Sequence, residues 1–280
     1  MMLAPFTDKF ALITGASRGL GLEIARRFVR DGANVAISAR SDEDMQTVAQ
    51  ELREQRISQA QRILPVAADL ADDADADRLI THVLSNFGGL DILVNNAAIQ
   101  GPIGRFDGNA WDQWRAVFDV NLFAAARLMQ LAIPPMRARG GGKIINLSGG
   151  GAATCRPDFS AYAASKCALV RLTETIAEEA KTDRIDINAV APGAMNTRML
   201  DELIAAGPEA APREHQAALE RSQNGGAPPQ RAAELVAWLA CRASDGITGK
   251  LISAAWDDWE RLAARRDQLR GDLFTLRRVT

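Results

Sequence analysis

An apolar run over 9–14 passes without a break into Thr14-Gly15-Ala16-Ser17-Arg18-Gly19-Leu20-Gly21 and on into an amphipathic stretch, 19–31. No other feature constrains the fold of this chain as strongly. Within the stretch, Ile24, Ala25, Phe28 and Val29 recur at helical spacing. Arg26, Arg27 and Arg30 take the other side, and Gly32 closes it. Glycines at 15, 19 and 21 remove three Cβ atoms where a strand turns tightly into a helix. A backbone stripped in this way can approach a pyrophosphate, with the free N–H groups and positive dipole end of the helix aimed at it. The turn therefore reads as a dinucleotide site held by Gly15, Ser17, Arg18, Gly19, Leu20 and Gly21.

Short apolar runs and longer amphipathic stretches continue to alternate down the chain. Strands are predicted over 34–38, 63–68, 91–95, 143–148, 185–191 and 250–253. Helices are predicted over 42–56, 74–87, 109–139 and 160–181, the third bent or ended near Pro134-Pro135. Such alternation requires parallel pairing through right-handed crossovers. The expected fold class is α/β, a Rossmann-like doubly wound parallel sheet in three layers, α/β/α, forming a single domain over 1–280. Two segments break the rhythm. Residues 195–230, rich in Ala, Pro and Gly, read as a mobile substrate-loop excursion with short helices, and 254–280 as an atypical, arginine-rich helical extension.

Composition excludes several partners. Lys+Arg 33 against Asp+Glu 35 leaves a net charge of −2, so no basic excess favours nucleic acid or an anionic membrane. No run approaches the ~18 apolar residues of a membrane span, and 1–10 lacks the basic and apolar regions of a secretory leader. Cys155, Cys167 and Cys241 are scattered, without a C-x-x-C pair, and His82 and His215 are the only histidines. Reduced thiols, no metal site and a cytoplasmic location are expected.

The end of the second strand decides which dinucleotide the turn receives. An acidic residue there would accept from a ribose 2′-hydroxyl and repel a 2′-phosphate. The chain has Ser38-Ala39-Arg40-Ser41 instead, and Arg18 adds a second cation from within the turn. Two guanidinium groups suit a phosphate monoester, so NADP(H) is preferred, with Arg40 as the main determinant and NAD(H) as the alternative.

After the glycine turn come Asp69-Leu70, Asn95-Asn96-Ala97-Ala98, Asn121, Ser148, Tyr162-Ala163-Ala164-Ser165-Lys166, Pro192-Gly193 and Thr197. With these motifs in this order the chain resembles the short-chain dehydrogenase/reductase family over roughly 7–253. The resemblance implies that Asp69 and Leu70 meet the adenine, and that Asn95 and Ala97 shape the cofactor cleft. It also implies that the turn carrying Pro192, Gly193 and Thr197 holds the nicotinamide amide. Asn121, Ser148, Tyr162 and Lys166 would be the catalytic group. In the family, the asparagine holds a water that links the lysine to solvent, the serine hydrogen-bonds the substrate oxygen, and the lysine bonds the nicotinamide ribose. The Tyr162/Lys166 pair also stands on chemistry. Spacing i, i+4 puts both on one helix face. A phenol with a pKa of ~10 is a poor base at neutral pH, and a neighbouring ammonium stabilises its phenolate. Tyr162, the one tyrosine of the chain, can then give a proton to a developing alkoxide or take it back.

The activity implied is NADP(H)-dependent interconversion of a carbonyl and a secondary alcohol on a small molecule. An NAD-dependent alcohol or sugar dehydrogenase of the same fold, or a catalytically weak nucleotide-binding sensor or scaffold, are the alternatives. Members of the family usually pair their long helices and stack the last strand and helix, so a homotetramer or homodimer is expected. Two departures stand out. Ser148 lies one residue farther from Tyr162 than the serine of most members, whose place falls on Gly149. The C-terminal end runs on into Trp256 and Trp259, which either bury against the sheet edge or narrow the substrate cleft. Residues 100–105, 156–159 and 195–230 should line that cleft, where Arg105 and Arg156 suggest a polar or anionic substrate such as a sugar derivative.

Overall fold

The apolar runs become β1 (Phe10–Thr14), β2 (Asn34–Ala39), β3 (Ile63–Ala67), β4 (Ile92–Asn95), β5 (Gly142–Leu147), β6 (Ile185–Ala191) and β7 (Leu251–Ser253). All pair in parallel, in the order β3-β2-β1-β4-β5-β6-β7. The computed structural model describes residues 4–278; the extreme ends of the two terminal segments, 1–3 and 279–280, lie outside the described residues. Side chains alternate between the two faces of the sheet. Ile13, Ile37 and Val94 meet α1 (Gly19–Arg30), α2 (Asp42–Glu54) and, far along the chain, α9 (Pro229–Ala240). On the opposite face Leu12, Leu93 and Ile144 meet α3 (Asp73–Phe87), α5 (Ala124–Ala138) and α6 (Ser160–Glu179). Both layers are buried, and each fully buried Leu, Ile or Phe contributes about 1.5–3 kcal/mol relative to exposure. The expected three-layer, doubly wound architecture is what forms. Between β1 and β4 the strand order reverses direction, which opens a crevice at the C-terminal ends of the strands.

Ser41 and Asp72 start α2 and α3, their side chains accepting from Asp44 N and Ala74 N. Other boundaries differ from the sequence expectation. The 109–139 helix breaks at Asp119–Phe123, where a π turn joins α4 (Trp111–Phe118) to α5. Pro134 and Pro135 do not end it. They fall in the last turn of α5, and the carbonyls of Pro135 and Met136 still find Arg139 N. Within Trp111–Ala138 an 18-residue stretch reaches a mean hydropathy of 1.4, so by length and composition alone the run could cross a membrane, where the sequence reading found no such span. Its apolar positions Leu128, Met129, Ala132 and Met136 instead pack beneath the sheet.

The 195–230 excursion is mostly ordered helix. It holds α7 (Arg198–Ala210), α8 (Pro212–Asn224) and the start of α9, with Gly207 at φ 82° interrupting α7. The C-terminal extension is a run of 3₁₀ turns, Trp259–Arg270, rather than an α-helix. Its inward residues Trp259, Leu262 and Leu269 are buried in the core beneath α9. Trp259 packs at 5.9 Å from Trp238 of α9, while Trp256 is 88% exposed. Beyond the turns the chain lies along the open edge of β7. Leu251 N donates to Phe274 O at 2.8 Å, and Lys250 Nζ donates to Gly271 O at 2.7 Å and Leu273 O at 3.0 Å. The tail therefore covers a sheet edge.

Candidate active site

A cleft of about 720 Å³ follows the C-terminal ends of the strands across the switch point. Gly15 and Gly21 shape its floor. Gly15 has φ +63°, and a Cβ on it would stand 2.8 Å from Ala97 Cα; a Cβ on Gly21 would overlap the Gly15 carbonyl. The turn is locked to the end of β4 by residues the sequence reading gave no role. Asn96 Nδ2 donates to Thr14 O at 2.9 Å and Gly15 O at 3.0 Å, and Thr14 Oγ1 accepts from Asn96 N and Ala97 N at 3.0 and 3.1 Å. Their signal was present in the Asn95-Asn96 pair, but strand alternation decides which of the two faces the turn.

Most predicted site residues line this cleft: Gly15, Ser17, Arg18, Gly19, Leu20 and Gly21 at the turn, then Arg40, Asp69, Leu70 and Ala97, and finally Ser148, Tyr162, Lys166, Pro192 and Thr197. Asn95, Asn121 and Gly193 do not. Asn95 points down into the helical layer, where its Nδ2 donates to Asn146 Oδ1 at 2.8 Å. Gly193 sits behind the lining, against Ala227 and Ala255. Asn121, in the π turn, accepts from Ile99 N at 2.8 Å and donates to Ile99 O at 2.9 Å and Ser165 Oγ at 3.2 Å. Its amide thus fixes the chain leaving β4 to the second turn of α6. Trp256 and Trp259 do not line the cleft either.

At one end of the cleft Arg18 and Arg40 are exposed and, among the described residues, form no ion pair, and Ser38 Oγ is buried with no hydrogen-bond partner among them. The other end holds Ser148 Oγ, likewise buried and unpartnered, in a residue only 3% exposed. A Cβ on Gly149 would overlap Tyr162 Oη, so the phenol occupies the space where a side chain at 149 would begin. The glycine cradle and two orphaned hydroxyls fit a dinucleotide at the turn and a polar atom beside Tyr162.

Lys166 is fully buried one turn along α6 from Tyr162, and its Nζ donates to Leu147 O at 2.8 Å. Burial pushes its ammonium down to about 8. Burial also pushes the Tyr162 phenol above its usual range, and the charge that opposes this is Arg156, not Lys166 as the sequence suggested. With its own charge discouraged and its Nζ held on a carbonyl, Lys166 has little to offer the phenol in this state.

The depressed lysine makes stability depend on pH. Between about 8 and its unfolded value near 10.5, the unfolded chain holds the extra proton. The destabilisation is fully present below pH 8 and is relieved as pH rises through that window. Denaturant unfolding of the protein without nucleotide should therefore show stability gained from pH 8 to 10 relative to Lys166→Met, by on the order of 1–3 kcal/mol. Parallel curves for the two proteins would show that Lys166 is charged without penalty.

Arg105 and Arg156 are both engaged. Arg105 pairs with Asp107 at 3.0 Å in solvent. Arg156 lies over the Phe159 ring at 3.8 Å and grips Glu214 of α8 through two bonds of 2.7 and 2.6 Å.

The short chain dehydrogenase family profile matches residues 9–207. Relatives include dehydrogenase/reductase SDR family member 4. The Homo sapiens protein is 33% identical over 193 residues, 69% of this chain and 68% of its own. The Caenorhabditis elegans protein is 31% identical over 250 residues, 89% of this chain and 95% of its own. Among solved structures, L-sorbose reductase from Gluconobacter frateurii, complexed with NADPH and L-sorbose, is similar with a TM-score of 0.79 and 30% identity, covering 90% of this chain and 97% of that one. Levodione reductase gives a TM-score of 0.80 and 26% identity, covering 92% and 99%.

Proposed function

The chain belongs to the short-chain dehydrogenase family of NAD(P)-dependent oxidoreductases, and on that premise we propose that it interconverts a carbonyl and a secondary alcohol on a small molecule with NADP(H). The observation that carries the proposal is that two hydroxyls without a hydrogen-bond partner among the described residues, Ser148 Oγ and Tyr162 Oη, line the same cleft, whose other end is a glycine cradle flanked by arginines that form no ion pair among those residues. Bound reduced nicotinamide supplies the hydride. Tyr162 donates its proton to the developing alkoxide in reduction and takes it back in oxidation. Ser148 Oγ donates to the same oxygen, and Lys166, whose Nζ is bonded to the Leu147 carbonyl here, would hold the nicotinamide ribose. Asn121 positions Ser165, whose Oγ donates to Tyr162 O at 2.8 Å, and so supports the turn that carries the phenol. The position of Ser148 on the cleft wall supports this reading over a catalytically idle sensor or scaffold.

NADP(H) is favoured by Arg18, Arg40 and the Ser38 hydroxyl, which line one end of the cleft, the arginines forming no ion pair among the described residues. The sorbose reductase relative was solved with NADPH. Three free thiols accord with a reducing, cytoplasmic setting. A second copy of the chain is proposed to pair along α5 and α6, where Phe123 is 54% exposed beside a groove lined by Ile133, Leu172 and Ile176. Coverage of the β7 edge by the tail favours a homodimer over a homotetramer.

The test is NADPH consumption with simple ketones by the wild-type protein and by Tyr162→Phe. A separate variant checks the close approach at the glycine loop. Gly149→Ala must displace the phenol, and a shift of about 1 Å in a reacting group lowers turnover by ~10- to 100-fold. NADPH affinity should hold. Unchanged kcat in that variant would show that the hydroxyl is free to move aside.

A further inference from the structure

Two cations stand at nearly equal range from the Tyr162 ring centre. Arg156 Cζ is at 5.7 Å, from the loop between β5 and α6, and Lys166 Nζ is at 5.8 Å, from α6 itself. They are not equivalent. Burial pushes the lysine down to about 8, so its charge fades as pH rises past that value. A guanidinium keeps its charge throughout. Arg156 is also fixed in place. It lies over the ring of Phe159, which is fully buried in the same cluster as Tyr162, and both carboxylate oxygens of Glu214 in α8 accept from it. The glycine loop makes room for phenol and arginine together. A Cβ on Gly149 would overlap Tyr162 Oη, and one on Gly151, at φ +94°, would stand 3.1 Å from Arg156 Cβ. Other ionisable groups approach from the neighbouring elements. Asp158 acts on Arg105 of the loop after β4, which pairs with Asp107. On α7 Arg198 pairs with Glu202 while Asp201 lines the cleft, and on α8 the His215 ring meets Ile204 O. The charge that opposes the effect of burial on the phenol is Arg156.

From this arrangement we infer that Arg156 is a positioning residue for proton transfer: its fixed charge stabilises the phenolate of Tyr162, and Glu214 tempers that charge from α8. The inference rests on the reading of Tyr162 as the group that exchanges a proton with the substrate oxygen, and deepens it. Arg156 is not part of the cleft lining, so it acts through the ring rather than on the substrate. The two ends of the ion pair therefore push the phenol in opposite directions. Removing the arginine withdraws a cation and tightens the phenol's hold on its proton. Removing the carboxylate leaves that cation uncompensated and loosens the hold. At this range, with an effective dielectric between those of a protein surface and water, one charge moves the equilibrium by about 0.5–1 on the pH scale. A merely structural grip behaves otherwise. Loss of either partner would then loosen the same loop, and both variants would move the phenol the same way, toward an exposed tyrosine.

Tyr162 is the one tyrosine of the chain, so tyrosinate absorbance reads it alone, with Tyr162→Phe as the blank. Titrated with NADP⁺ bound, Arg156→Gln should move the midpoint to higher pH by about 0.5–1, and Glu214→Gln to lower pH by a similar amount. Arg156→Lys, which keeps the charge and loses the fork, should return most of the way to wild type. Circular dichroism over the same range reports the fold of each variant. The alkaline limb of NADPH-driven cyclohexanone reduction should follow the same order. Shifts in one direction for Arg156→Gln and Glu214→Gln, or no shift in either, would overturn the inference and leave the role of Tyr162 standing. Ordered absorbance shifts with no matching change in the rate profile would instead remove Tyr162 from the proton transfer, and the positioning role with it.

Discussion

Tyr162→Phe is expected to lower kcat for ketone reduction by ~10²–10⁴-fold, the usual contribution of a positioned general acid. NADPH affinity and thermal stability should scarcely change, for a structural reason. The ring is packed among Phe159, Leu200 and Leu203, and phenylalanine keeps those contacts. Oη makes no hydrogen bond among the described residues, so its removal leaves no buried partner unsatisfied. Folding does not need this hydroxyl. A proton donor for reduction must hold its proton at neutral pH, and burial, which pushes the phenol upward, secures that. The reductive rate should therefore be flat near neutrality and fall only as alkali ionises the phenol, whereas alcohol oxidation should rise with pH. Steady-state rates followed by NADPH absorbance, with a fluorescence titration of the variant, decide the matter. Activity above a tenth of wild type would remove Tyr162 from the chemistry.

The fold was legible because it depends on periodicity. The Gly-rich junction, the alternation of short and long apolar segments, and the parallel sheet they imply all follow from spacing and from residues without Cβ atoms. What spacing cannot supply is direction. Asn95 and Asn96 are adjacent, and only the pleat of β4 reveals that the first is buried beneath the sheet while the second ties the glycine turn. Arg156 looked like an open cation near the substrate, since its partner Glu214 comes from a helix distant in sequence, reached only once α8 folds back. The π turn at Asp119–Phe123 leaves the apolar periodicity nearly unchanged and so gave no signal. The tail was misread as helix because its composition is helical. Its turns are 3₁₀, and beyond them Phe274 O accepts from Leu251 N at the edge of β7.

The second large effect concerns the nucleotide. Arg40→Asp is expected to weaken NADPH by ~10²-fold while NADH is held or gains. Arg40 follows the end of β2, lines the cleft and forms no ion pair among the described residues. Against a 2′-phosphate, the substitution removes a charge-assisted bond and adds a repulsion. With a 2′-hydroxyl it provides an acceptor instead. Two controls separate this from a general loss of binding. Ser38→Ala, at the buried orphan hydroxyl nearby, changes no charge and should weaken NADPH and NADH far more evenly than Arg40→Asp does. Rising salt should weaken NADPH more steeply than NADH in the wild-type protein, and this difference should shrink in Arg40→Asp, because exposed guanidinium–phosphate attraction is screened over a Debye length of ~8–10 Å. Arg18 should couple to Arg40. If both contact one phosphate, the loss in the double variant should differ from the sum of the single losses by more than about 0.5 kcal/mol. Equal weakening of both dinucleotides by Arg40→Asp would mean that the guanidinium serves the turn rather than the phosphate, and the preference for NADP(H) would then have no structural basis in β2.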